Sequence, residues 1–95
     1  MAEGASPETR TVKIVNTKGL HARASAKFVQ CTAKFDALVT VTKDGSTVTG
    51  TSIMGLMMLG AGIGSDLTVA ATGREAREAL DALEALIANK FGEDS

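Results

Sequence analysis

The chain of 95 residues contains no tryptophan, no tyrosine and only three phenylalanines. That scarcity argues against a surface built to stack on bases or sugar rings. Its one cysteine, Cys31, cannot close an intramolecular disulfide, so nothing points to an oxidising compartment. No apolar run approaches the roughly 18 residues that cross a bilayer. The formal net charge is −1, which leaves no basic surface to draw nucleic acid and no basic cluster to meet anionic lipid. Met1 to Glu8 lack the basic start and apolar core of a secretory signal. A soluble, cytoplasmic protein is the expectation.

What is present is a globular balance, 44% hydrophobic and 22% charged, and too apolar for a disordered chain. Residues 1–9, small, polar or acidic, read as a flexible leader ahead of a single domain over residues 10–92. Thr11 to Asn16 alternate as a strand does, and Asn16-Thr17-Lys18-Gly19 is a turn. An Ala-rich helix is predicted from His21 to about Lys34, with Ser25, Phe28, Val29, Thr32 and Phe35 along one face. Two strands, Ala37–Lys43 and Ser46–Gly50, flank Asp44-Gly45, a strong hairpin signal.

Ser52 is placed to cap a short helix over Ile53 to Leu59. A last strand follows from Asp66 to Ala71, with Leu67, Val69 and Ala71 on one face. Thr72-Gly73-Arg74-Glu75 fits a capping box. Ala76, Ala79, Leu80, Leu83, Leu86, Ile87 and Phe91 then recur at helical spacing up to a stop at Gly92. The order β-α-β-β-α-β-α predicts an α+β fold, an antiparallel sheet with helices packed on one face.

His21 is the only histidine. A lone histidine is more often a surface or structural residue, but this one stands where a glycine turn meets a helix start. The first backbone N–H groups there, from about Ala22 and Arg23 onward, have no intrahelical partner and favour an anion. Arg23 adds a permanent charge and a planar fork of donors suited to phosphate oxygens. A metal site is not indicated, because no second histidine or nearby carboxylate stands at ligand spacing. His21 with Ser25 alone makes no hydrolytic triad. What remains is an imidazole that is itself the nucleophile, held where waiting donors meet the charged group it receives.

Gly19-Leu20-His21-Ala22-Arg23, together with Ser52-Ile53-Met54-Gly55 further along, closely resembles the HPr family, the histidine-containing phosphocarriers of the bacterial phosphoenolpyruvate-dependent phosphotransferase system. The resemblance runs from about Thr11 to Phe91. It implies an open-faced β-sandwich, four antiparallel strands covered on one side by three helices. It also implies that His21 accepts a phosphoryl group on Nδ1 from phosphorylated enzyme I and passes it to an EIIA-type domain, with Arg23 assisting. The carrier would be a monomer that needs no cofactor, rather than an enzyme in its own right. Ser52 matches the serine that a dedicated HPr kinase/phosphorylase modifies in some bacteria. The family's usual residue after the arginine is proline, whereas Ala24 stands here; alanine is the best helix former, so the site is expected to survive. This variant is similar to the nitrogen-related NPr branch, and carbon and nitrogen roles both stay open.

A seven-residue helix cannot bury every side. With Leu56 and Leu59 turned inward, Ile53, Met54 and Met57 are left as an exposed apolar patch, and methionines adapt to several partners. Together with Leu20 and Ala24 this patch is the expected docking surface. Gly60-Ala61-Gly62-Ile63-Gly64 lacks the Lys-Ser/Thr of a nucleotide loop and reads as a turn. Cys31 is expected to be inert. The competing function is a regulatory binding module of the same fold that uses His21 chiefly as a contact; an autonomous acid/base enzyme is disfavoured because one histidine without a pocket carboxylate offers little chemistry.

Overall fold

Apolar and hydroxyl-bearing residues alternate along the strands, and that alternation decides which side of the sheet is covered. The computed structural model describes residues 7–95. Its elements are β1 (Glu8–Lys13), α1 (Ala22–Thr32), β2 (Leu38–Lys43), β3 (Ser46–Thr49), α2 (Ile53–Met58), β4 (Asp66–Thr72) and α3 (Ala76–Ala88), followed by a 3₁₀ turn at Lys90–Gly92. The strands form one antiparallel sheet in the order β1-β4-β2-β3. Val12, Val39, Val41, Leu67, Val69 and Ala71 point from it into the core, where they meet Phe28 of α1, Leu56 of α2, and Leu80, Leu83 and Ile87 of α3. Each of the valine, leucine, isoleucine and phenylalanine side chains among them contributes about 1.5–3 kcal/mol by leaving water. The architecture is the expected α+β open-faced sandwich.

The other face carries no helix and is largely threonine. Thr11 pairs with Thr68, Thr68 with Thr42, and Thr42 with Thr47, so one row of hydroxyls crosses all four strands. Thr42 and Thr47 share a 2.8 Å hydrogen bond between their Oγ1 atoms. Threonine keeps the β-branched preference for extended backbone while leaving the face wettable.

The hairpin is as the sequence indicates, with Asp44 at φ 50° and Gly45 at φ 83°, the two left-handed residues of a type I′ turn. Several boundaries differ. β1 begins at Glu8, because Glu8 and Thr9 pair with Ala71 and Ala70. The expected leader therefore loses its last two residues to the sheet, and residues 1–6 lie outside the described residues. The same strand stops at Lys13, but Ile14 goes on pairing irregularly with the loop before β4, through Ile14 N–H to Ser65 O and Gly64 N–H to Ile14 O, both 2.8 Å. α1 ends at Thr32 instead of Lys34, closed by the Lys34 N–H to Cys31 O bond.

The capping box is not formed. Thr72 belongs to β4, and Glu75 is itself the residue before α3, with no side-chain cap. Gly73, at φ +119°, turns the chain against the loop after α1, so that Glu75 Oε1 accepts from the Asp36 N–H at 2.8 Å and the Glu75 N–H donates to Asp36 O at 3.0 Å. The side chain serves a tertiary junction instead of its own helix. On the far side, Arg10 of β1 reaches Asp81 and Glu84 of α3 at 2.5 and 2.9 Å, and those hydrogen bonds raise its pKa further.

Phe91 continues the apolar period of α3 but not the helix. Lys90 and Phe91 adopt φ of 58° and 55°, folding the chain back so that the ring is fully buried. Lys27 Nζ of α1 donates to Phe91 O at 2.7 Å. This ring fastens the residues after α3 to the core. Phe91→Ala is expected to cost about 3–5 kcal/mol of unfolding free energy, read from urea denaturation, the range for emptying a buried aromatic site.

Candidate functional site

The site starts from a turn that only glycine can make. Gly19 lies at φ +66°, and a Cβ there would fall 2.3 Å from Ala61 O and 2.8 Å from the Gly62 Cα. The next residue donates its N–H to that same carbonyl, Leu20 to Ala61 O, at 2.9 Å. The glycine-rich loop before β4 is thus a turn, as expected, and also the floor under the histidine loop, a role that its sequence did not signal. Leu20 drops its side chain into the core, and Ser25 Oγ donates to Leu20 O at 3.2 Å.

His21 follows in extended conformation, φ −75° and ψ −178°, as the residue that caps α1. Its carbonyl accepts the Ser25 N–H at 2.9 Å. The N–H groups of Ala22, Arg23 and Ala24 precede that first bond and have no acceptor within the helix. No acidic residue occupies the first turn. The positive end of the helix is therefore uncompensated by its own sequence.

The imidazole is neither buried nor loose; its side chain is 28% exposed. Nε2 meets Glu93 Oε2 at 2.5 Å, across 72 positions of sequence. A carboxylate oxygen only accepts, so Nε2 carries the proton and the neutral ring keeps its lone pair on Nδ1. Glu93 is gripped in turn, since Asn16 Nδ2 donates to its Oε1 at 3.0 Å and also to Gly19 O at 3.0 Å. The Thr17 N–H donates to Ser95 O at 3.1 Å, a second tie between this loop and the residues after α3. The bonds from His21 and Asn16 hold the Glu93 carboxyl below the usual carboxylate range, aided by nearby Lys18. Its hold on the ring is present at neutral pH and is lost only as the pH falls through that lowered value.

His21, Ala22, Arg23, Lys18 and Glu93 line a depression of about 290 Å³. A neighbouring hollow of about 420 Å³ shares Lys18, Arg23 and Glu93 and adds Lys27 and Asp94. Three cations and the free helix amides thus surround a space open to solvent. The arrangement can receive an anionic group, and the ring nitrogen that faces away from Glu93 can bond to it.

Of the other residues singled out, Ser52 caps α2 as expected, its Oγ accepting the Gly55 N–H at 2.9 Å. Leu56 and Leu59 are buried, while Ile53, Met54 and Met57 are 41, 69 and 41% exposed. Met58 and Ile63, not included in the expected patch, are exposed as well. Leu20 and Ala24 need correction. Both are buried in the core and support the patch from below, so they offer a partner no side chain. Burial pushes the thiol of Cys31 up, away from the reactive thiolate. Among the described residues no group of three or more His, Cys, Asp and Glu is placed to hold a metal. Glu93 was missed altogether, and the view that no carboxylate serves the histidine is overturned. A contact between the two ends of the chain leaves no local spacing signal.

Comparison with known proteins bears on this geometry. A family model described as the PTS HPr component phosphorylation site matches residues 8–89. The chain belongs to the HPr family of phosphocarrier proteins. It is 52% identical over 84 residues to the phosphocarrier protein HPr of Cupriavidus necator, covering 88% of this chain and 94% of that one. It is 41% identical over 86 residues to the phosphocarrier protein NPr of Shewanella violacea, covering 90% and 94%. The crystal structure of HPr from Thermoanaerobacter tengcongensis superposes with a TM-score of 0.88 at 43% identity, covering 93% of this chain and 99% of that one. Membership supports a carrier role in the phosphotransferase system, and the helix-capping histidine is the feature of this HPr-family chain that fits it.

Gly19→Ala is expected to lose at least about 1–3 kcal/mol of stability, the cost of holding a residue with a Cβ in the left-handed region, before the clash with Ala61 is counted. Chemical denaturation checks the loss, and amide chemical-shift changes in both the His21 loop and residues 60–64 check its route.

Proposed function

We propose that His21 accepts a phosphoryl group on Nδ1 from phosphorylated enzyme I and hands it to an EIIA-type domain, as a cytoplasmic carrier for sugar uptake, nitrogen-related regulation or both. The observation that carries this reading is the position of His21: it caps α1, partly exposed, in one depression with Lys18, Ala22 and Arg23. In-line attack by Nδ1 on phosphorus needs little further covalent machinery, only positioning and charge. The N–H groups of Ala22 and Arg23 and the guanidinium of Arg23 are suited to hold the three oxygens that arrive. A carrier of this kind turns over only between partners.

The exposed Ile53, Met54 and Met57 supply the docking surface, extended by Met58. An apolar, methionine-rich patch suits a protein that meets different donors and acceptors in succession. Ser52 at its edge is the target for the dedicated HPr kinase/phosphorylase. A phosphate there would add about −1.5 to −2 charges beside the patch and disturb docking of acidic or apolar partners.

Incubation with phosphoenolpyruvate and a cognate enzyme I tests the reading. Acid-labile phosphate should appear on His21, and His21→Ala should take none while its melting temperature stays within a few degrees. Absence of label on the wild-type protein with any cognate enzyme I would favour the regulatory binding module instead. Met54→Glu should weaken binding to enzyme I about tenfold or more in calorimetric titration, as expected when a charge enters the centre of an apolar contact. Unchanged affinity would remove the patch from the interface.

A further inference from the structure

We infer that Glu93 is a positioning residue for phosphoryl transfer: clamped by the buried Asn16, it holds the His21 ring by Nε2 and balances the positive charge that forms on that ring when Nδ1 takes the phosphoryl group. The inference rests on the reading of His21 given above and extends it to the residues after α3.

Three observations carry it. Glu93 Oε2 lies 2.5 Å from His21 Nε2, the ring nitrogen that does not react. Its second oxygen is fixed by Asn16 Nδ2 at 3.0 Å, and Asn16 is fully buried, bound as well to Gly19 O and left with an unpartnered Oδ1. The backbone around the pair is tied down by Thr17 N–H to Ser95 O and by the buried Phe91. A carboxylate held from both sides is a fixed charge rather than a passing surface contact.

The chemistry follows from where the proton stays. The Nδ1 lone pair attacks phosphorus, an N–P bond forms, and the bond from phosphorus to the donor breaks, its electron pair leaving with the donor. No proton moves. Nε2 keeps its hydrogen, so the ring changes from neutral imidazole to a phosphorylated imidazolium. When the group is passed on, the N–P electron pair returns to Nδ1 and a neutral imidazole departs, a far better leaving group than the anion that an Nε2-deprotonated ring would release. Glu93 therefore favours the form of the phosphorylated carrier that can donate.

The other charges around the ring act on a different side of the problem. Lys18 of the β1–α1 loop and Arg23 and Lys27 of α1 are cations suited to the incoming oxygens, and Asp94 adjoins Glu93. α2 and residues 60–64 contribute no titratable side chain. Glu93 is thus the one carboxylate bonded to the ring among the described residues.

The phosphorylated wild-type protein, Glu93→Gln and Glu93→Ala can be prepared with enzyme I and phosphoenolpyruvate, freed of donor, and followed for phosphate release from pH 5 to 10. Glutamine removes the charge and keeps one acceptor for Nε2, while its amide nitrogen takes the place of the oxygen that accepts from Asn16. If Glu93 balances the ring charge, the pH at which release falls to half its acid-side rate should be lower by about one unit or more in both variants, the scale for losing an adjacent opposite charge. A Glu93→Gln profile that superimposes on wild type overturns the inference, whether or not Glu93→Ala departs from it, since only a geometric role or none would then remain. Wild-type protein that takes no label overturns the reading of His21 itself, a result distinct from the superimposed profiles.

Discussion

The His21 end of this protein depends on one close backbone approach, Gly19 lying against the carbonyl of Ala61. Because nothing larger than hydrogen fits there, the loop after β1 descends far enough for the Leu20 N–H to bond that carbonyl and for the Leu20 side chain to enter the core. The following residue then has nowhere to go but outward, in extended conformation, at the start of α1. His21 is displayed because its predecessor is buried. A helix start that needs a cap normally receives serine, aspartate or asparagine, whose side chains bond the free amides. His21 makes no such bond, so those amides remain available for a ligand.

Charge around the ring is divided by direction. The basic groups belong to the β1–α1 loop and to α1, whereas the one bonded carboxylate comes from the end of the described chain. Bringing Glu93 from 72 positions away keeps it on the Nε2 side, bound to Asn16, while Arg23 stays exposed. Phe91 makes this geometry possible, since its burial as the second of two left-handed residues sets the direction in which the next few residues run.

Much of this could be read from the residues alone, because much of it is local. The Asp44-Gly45 hairpin, the Ser52 cap, the inward Leu56 and Leu59 and the alternation of Leu67, Val69 and Ala71 depend on neighbours within a few positions, and each is found as expected. The misreadings share a cause. Thr72 and Glu75 have the spacing of a capping box, yet the turn at Gly73 hands Glu75 to Asp36. Phe91 keeps the helical period of α3 but reaches the core by leaving the helix. Leu20 and Ala24 lie within three residues of the histidine, yet the turn at Gly19 sends the first into the core and the geometry of α1 sends the second there. Glu93 has no sequence neighbour to betray its partner. Local pattern specified the elements, while tertiary junctions decided how their ends were used.

The row Thr11–Thr68–Thr42–Thr47 lies on the face of the sheet opposite the helices, away from His21 at the start of α1. That row of short, uncharged hydroxyl side chains is a neutral handle. A spectroscopic probe or surface tether attached at Thr40 or Thr68 would leave the histidine, the methionines and their approach paths clear. The molecule can thus be immobilised in a single orientation and watched while its partners come and go.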